Sequence, residues 1–174
     1  MASNSARLFT AALMGVVLVL LTGAEPVAAA APVGQFSWPL QPRPGVLRRF
    51  DKPAQNWLPG HRGVDLAGAP GQAVLAAGDG IVVFAGMVAD KPVVSIDHPS
   101  GLRTTYEPVR DAVSVGRRVE RGTRIGTLEA GHEGCETCLH WGLRSEGGRR
   151  RREYLDPLGL LHLTPLRLKP VAPP

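Results

Sequence analysis

The sequence predicts an all-β domain built on an antiparallel sheet. Short runs rich in β-branched and apolar residues recur along the chain, and glycine or proline turns divide them. No stretch beyond an apolar N-terminal segment shows strong helical periodicity. With 21 glycines and 16 prolines in 174 residues, turn residues are abundant enough to separate many short elements. An apolar fraction of 44% against 20% charged residues is the balance of a globular chain, and the length suits one modest domain.

The elements follow in order. Arg7 is the sole charge ahead of an apolar core over 11–21, a Thr-Gly-Ala-Glu-Pro stretch breaks that core at 22–26, and alanines fill 28–31. A short apolar core followed by small residues predicts a signal peptide over 1–30 that is cleaved on export. An uncleaved anchor is the alternative, although the core falls short of the about 20 residues that span a bilayer. No cysteine lies near the cleavage region to carry a lipid, and no later run is long enough for a membrane span. The expected location is therefore secreted or associated with the cell wall, with no stable membrane span after processing. Residues 31–45 read as a proline-rich lead-in, and 46–162 as the folded domain. Within it, strands are expected at 46–50, 74–77, 81–84, 93–96, 102–106, 124–128 and 139–143. Arg149 to Arg152 form a basic run, read as a solvated loop or a contact for anionic wall polymers. The segment 154–158 suggests a turn, and 163–174 a disordered tail.

Charge narrows the partners. The formal net charge is +5. Loss of 1–30 removes Arg7 and Glu25 together, so the mature chain keeps it. A basic exported protein suits a polyanionic surface such as a cell wall, and export sets nucleic acid aside.

Two segments carry candidate chemistry. In His61-Arg62-Gly63-Val64-Asp65 the even offset puts both outer side chains on one face of an extended strand, and Gly60 and Gly63 argue against a helix. An imidazole and a carboxylate converging on one point make a zinc site; a surface salt bridge is the plainer reading. In the segment from Cys138 to Arg144, alternation places Cys138, His140 and Gly142 on one face and Leu139, Trp141 and Leu143 on the other. Cys135 and Cys138 form a C-x-x-C, which in an oxidising compartment reads as a disulfide. A redox motif is the alternative, but no βαβ pattern surrounds it. His98 reads as a buried or turn histidine.

These segments resemble the motifs of lysostaphin/LytM-type zinc metallopeptidases. His61 to Leu66 looks like the family's H-x-G-x-D, and Cys138 to Trp141 aligns with its H-x-H. Between them, 76–82, 96–106 and 119–126 resemble its A-x-x-x-G-x-V turn, its H-x-x-G-x-x-T-x-Y strand pair and its V-x-x-G-x-x-I-G hairpin. The likeness covers roughly 36–160, with the motifs in order. It implies a hybrid-barrel-like all-β fold, and one zinc held by His61, Asp65 and His140. The activity it implies is hydrolysis of peptide bonds in peptidoglycan.

Two positions depart from the pattern. Cys138 stands where the family has the first histidine of H-x-H, and Pro108 where it has the histidine of Y-x-H. Those histidines orient the water and stabilise the tetrahedral intermediate, so the catalytic set is incomplete. Glu107, Glu133 and His132 are the candidate substitutes. Glu107 is expected to face away from Tyr106 and Pro108, and the loop holding His132 and Glu133 to fold over the groove. Three functional readings follow. One is an active peptidoglycan endopeptidase with a rearranged acid/base set. Another is a non-hydrolytic domain that binds the wall or activates a partner wall hydrolase. The last, a carrier or lipoyl-like domain suggested by the run 74–83 and the hairpin at 119–125, has no use for His61, Asp65 and His140.

Overall fold

A computed structural model describes residues 36–110, 112–146 and 152–162. The expected signal peptide, the tail and Arg149 to Arg151 lie outside the described residues. Among those described, eleven strands form two sheets. They are β1 (Val46–Arg48), β2 (Gly63–Ala67), β3 (Ala73–Leu75), β4 (Gly80–Val88), β5 (Lys91–Asp97), β6 (Leu102–Glu107), β7 (Val109–Arg110), β8 (Arg118–Val119), β9 (Arg124–Leu128), β10 (Cys138–Ser145) and β11 (Glu153–Leu155). A 3₁₀ helix, Pro157–His162, is the last described element. No described helix is long and apolar enough to cross a membrane.

The large sheet runs β1-β2-β10-β6-β5-β4-β8, with β11 continuing beside β10; the small one runs β3-β9-β7. Every pairing is antiparallel. The all-β antiparallel expectation therefore holds. The differences are in short pieces: β7, β8 and β11 have two or three residues each, too few for a period to show. Beyond the expected 81–84, β4 extends to Val88, and Ala89 and Asp90 turn the chain into β5 with φ of 45° and 67°. Two successive left-handed residues match the twist of a two-residue hairpin.

The core lies where alternation put it. Leu139, Trp141 and Leu143 of β10 are buried together with Val64 and Leu66 of β2, Tyr106 of β6, and Val94 and Ile96 of β5. A buried polar chain threads this core. His98 Nδ1–H donates to the Asp79 carbonyl at 2.8 Å, and its Nε2 lies 2.7 Å from Thr104 Oγ1. The Thr104 and Tyr106 hydroxyls are 2.9 Å apart, and Tyr106 Oη accepts the Ala77 N–H at 2.9 Å. Burial pushes His98 below its ordinary value, which keeps the ring neutral at neutral pH. His98 is thus a structural histidine.

The proline-rich lead-in is more than a lead-in from Phe36 onward. Leu40 is wholly buried in the core and Phe36 and Trp38 pack against it. Ser37 N–H donates to the Ala77 carbonyl, and Leu75 N–H to the Pro39 carbonyl, both at 2.8 Å. Proline spacing carried no sign of this, because the contacts are made by single apolar residues between turns. Leu40→Ala removes a fully buried side chain and is expected to cost about 2–5 kcal/mol. A urea unfolding curve measures it; a midpoint unchanged from the parent chain refutes the packing assigned to this segment.

Candidate metal centre

Strand register assembles the site. Asp65 of β2 pairs with His140 of β10, and His140 pairs with Glu107 of β6. Directly opposed residues point to the same face, so the three side chains form one row across three strands. Tyr106 points into the core, so the face away from it is the face of this row. Glu107 does face away from Tyr106, as expected, and that direction brings it to the site.

His61 joins from just before β2. It is held by a two-hydrogen-bond bridge to Asp51, at 2.8 and 3.0 Å. Its Nε2 lies 3.0 Å from Asp65 Oδ1 and 3.1 Å from His140 Nδ1, and His140 Nδ1 lies 2.9 Å from the same Asp65 oxygen. His61 Nδ1 is 2.7 Å from the Arg49 carbonyl. A carbonyl only accepts, so Nδ1 carries a proton, and in the singly protonated ring the Nε2 lone pair faces the cluster. A lone pair set against a carboxylate oxygen needs a proton or a cation near it, and a histidine whose far nitrogen donates to a backbone carbonyl is oriented as a metal ligand. Zinc bonds near 2 Å in tetrahedral array separate ligand atoms by about 3.3 Å, close to the spacing found. The donor set fits the ion.

Gly63 makes this approach possible. A Cβ there would sit 2.5 Å from the Trp141 carbonyl oxygen and 2.6 Å from His140 Nε2. Any side chain would displace the ring or part β2 from β10. The glycine of the His61–Asp65 segment is therefore a steric requirement of His140.

A third histidine is the fourth member of the cluster. His132 lies in the turn between β9 and β10, with its ring stacked on His140 at a centroid distance of 5.1 Å. His132 Nε2 is 3.3 Å from Asp65 Oδ1, and Nδ1 is 3.3 Å from Glu107 Oε1. Ligand-type atoms of His61, Asp65, His132 and His140 all lie within 4.8 Å of one another. The loop does fold over the groove, and it delivers His132; Glu133 is exposed. Pro108 and Cys138 contribute no polar group here. Pro108 is buried. Cys138 is buried and disulfide-bonded to Cys135, with Cα atoms 6.0 Å apart.

The electrostatics are those of a buried anion among imidazoles. Burial on its own raises the Asp65 carboxyl. Hydrogen bonds from His132 and His140, and the nearby His140 and His61, outweigh it and hold the group well below the usual carboxylate range. Hydrogen bonding to His132, against a smaller burial effect, also lowers Glu107. His132, hydrogen-bonded to Asp65 and then to Glu107, is raised to about 9 despite its burial.

Arg49 had no sequence signal, since its backbone carbonyl acts and not its side chain. His132 and Glu107 were visible as residue types. Their meeting was not, because it depends on a loop crossing three strands.

A pH dependence follows for the metal-free chain. The stabilisation from protonated His132 is fully present below the ordinary histidine value of 6.5 and is lost as pH rises through about 9. The Asp65 contribution is present above its ordinary value of 3.8 and is lost as pH falls toward its depressed folded value. A thermal-melt series on metal-free protein is expected to show a declining alkaline limb between these two histidine values, which His132→Gln flattens. An alkaline limb that survives the substitution refutes the assignment.

Comparisons with known proteins agree with this architecture. The family model described as Peptidase family M23 matches residues 59–157. An uncharacterized protein of Mycobacterium tuberculosis strain H37Rv is 53% identical over 181 residues, covering 99% of this chain and 72% of the relative. A lipoprotein NlpD/LppB homolog of Pseudomonas aeruginosa is 34% identical over 144 residues, covering 80% of this chain and 44% of its own length. Among solved structures, a zinc-containing peptidase from Vibrio cholerae superposes with a TM-score of 0.55 at 23% identity, over 64% of this chain. That likeness speaks for the fold, and the chain spans 37% of that peptidase's length.

Proposed function

The chain belongs to peptidase family M23, of the lysostaphin/LytM type, and from that premise we propose that it is an exported zinc-binding domain that acts at peptidoglycan. His61, Asp65 and His140 are the zinc ligands in this reading. The observation that carries it is the convergence of their three donor atoms to within 2.9–3.1 Å, with the His61 lone pair aimed inward by the Arg49 carbonyl. Zinc, when bound, supplies Lewis-acid polarisation of a peptide carbonyl and activation of a water.

Export rests on the apolar segment at 11–21 and the alanines after it. It agrees with a disulfide in this chain and with a lipoprotein among its relatives. The basic balance of the mature chain suits an anionic wall polymer. The substrate class is a peptide of peptidoglycan, the class that the family resemblance implies.

One observation favours a second reading. Pro108 is buried, and the Cys138 sulfur is bound in a disulfide, so neither family position holds an acid or base. A domain with metal and no proton carrier would bind the wall, or activate a partner hydrolase, without cutting.

Two measurements test this. Purified chain, free of any affinity tag, is expected to hold one zinc by elemental analysis. Asp65→Ala and His140→Ala are expected to weaken its affinity by at least about 10²-fold, more than loss of an outer-shell partner costs. A chain that binds no zinc refutes the metal reading. Zinc-loaded protein incubated with purified peptidoglycan is expected to release new peptide termini within roughly pH 5–9, where imidazoles change charge. Zinc binding and sedimentation with peptidoglycan, but no release at any such pH, select the non-hydrolytic reading.

A further inference from the structure

We infer that His132, oriented by Glu107 and delivered by the disulfide-tied turn, is the catalytic proton carrier of this site, from a different place in the chain than either family histidine. The inference rests on the zinc reading above and adds the group that the reading lacks.

Three observations carry it. The first is where His132 stands. Its polar contact with the cluster is to one atom, Asp65 Oδ1 at 3.3 Å, while His61, Asp65 and His140 each meet both of the others at 2.9–3.1 Å. An imidazole that hydrogen-bonds one member of a three-ligand set and is stacked on another would stand beside a water held by the ion. The second is how it is oriented. Glu107 Oε1 lies 3.3 Å from Nδ1 and accepts its hydrogen. The Nε2 edge is thereby turned to the cluster, the edge from which the ring would exchange a proton with a bound water. A carboxylate that fixes a histidine's tautomer is the recurrent arrangement of activated water and nucleophiles.

The third is how it is held. Cys138 stands on β10 two residues before His140, paired with Ala67 of β2, and its disulfide to Cys135 ties the turn to β10. The Cys135 N–H donates to the His132 carbonyl at 3.3 Å, and the Gly131 N–H to the Glu136 carbonyl at 3.3 Å. The residue that replaces a family histidine at 138 therefore anchors the segment that brings another histidine back. Glu107 and the disulfide act through His132 and are positioning elements.

The reaction balances on one water. Its oxygen bonds to the scissile carbonyl carbon, the C–N bond breaks, and a proton moves from the water to His132 Nε2 and then to the departing amine nitrogen. His132 ends as it began, and no oxidant or further reactant is consumed.

The test measures zinc-loaded protein with peptidoglycan, counting released peptide termini, beside the visible absorption of the cobalt-substituted protein and the zinc affinity. His132→Ala is expected to lower the release rate by about 10²–10⁴-fold, the contribution of a general base. It is expected to leave the cobalt spectrum unchanged and to lower the zinc affinity by no more than about 10–100-fold, the cost of an outer-shell partner. Glu107→Gln keeps the shape but weakens the hold on the tautomer, so a smaller loss in rate, with a shifted pH–rate profile, is expected. The double substitution Cys135→Ser, Cys138→Ser is expected to lose rate while keeping zinc. A His132→Ala chain that cleaves at the parent rate overturns the inference. So does one whose cobalt spectrum changes, or whose zinc affinity falls as far as that of Asp65→Ala or His140→Ala, because His132 is then a fourth ligand. A parent chain that holds zinc and cleaves nothing also overturns it, and leaves the metal reading standing. A parent chain that holds no zinc removes both.

Discussion

The antiparallel pairing of β10 with β2 on one side and β6 on the other is the constraint on which the site depends. Asp65, His140 and Glu107 share a row because those two ladders fix it. A slip of one residue in either would turn the row over and send its polar side chains into the core. What prevents the slip is the opposite face of the same strands. Val64, Leu66, Tyr106, Leu139 and Trp141 are all essentially without solvent contact. Each such side chain stabilises the fold by roughly 1.5–3 kcal/mol relative to exposure, so inversion of β10 alone would forfeit several kcal/mol. The hydrophobic face thus enforces the geometry of the polar one.

The same pairing explains residues that look incidental. Gly63 is small because the β2–β10 ladder brings the His140 ring and the Trp141 carbonyl onto it. Arg49 matters through its carbonyl, which selects the tautomer of His61. Neither acts by its own side chain, yet both set where a lone pair points. A metal site of this kind is made as much by the backbone around the ligands as by the ligands themselves.

Much of the fold and part of the site could be read from the residues, for reasons that differ. Alternation in 139–143 announced a strand with an apolar and a polar face, because a period of two survives in the sequence. The partners His61 and Asp65 were read from their even offset, although His61 precedes β2 and is aimed by its bridge to Asp51. The very short β7, β8 and β11 were not visible, since two or three residues cannot display a period. The core role of Leu40 was hidden among prolines. Glu107 shows the limit most clearly. Its direction relative to Tyr106 was predictable from alternation, but which face holds the site depends on the neighbouring strand, and that is a tertiary fact.

His132 lies beyond local pattern altogether, and its case bears on how the site is divided. Three members of the cluster come from strands and a bridge locked by ladders, whereas His132 comes from a turn whose fixed position costs conformational entropy. The Cys135–Cys138 bond closes a very short loop, so it adds little to global stability and acts on local shape. That is the kind of constraint a turn-borne side chain needs. The chain that lacks a histidine at 108 and 138 therefore holds one in their vicinity by other means: a carboxylate on β6 to turn the ring, and a covalent tie to β10 to keep the turn in place. His61, Asp65 and His140 are thus held by the rigid sheet, and His132 by a turn fastened to it.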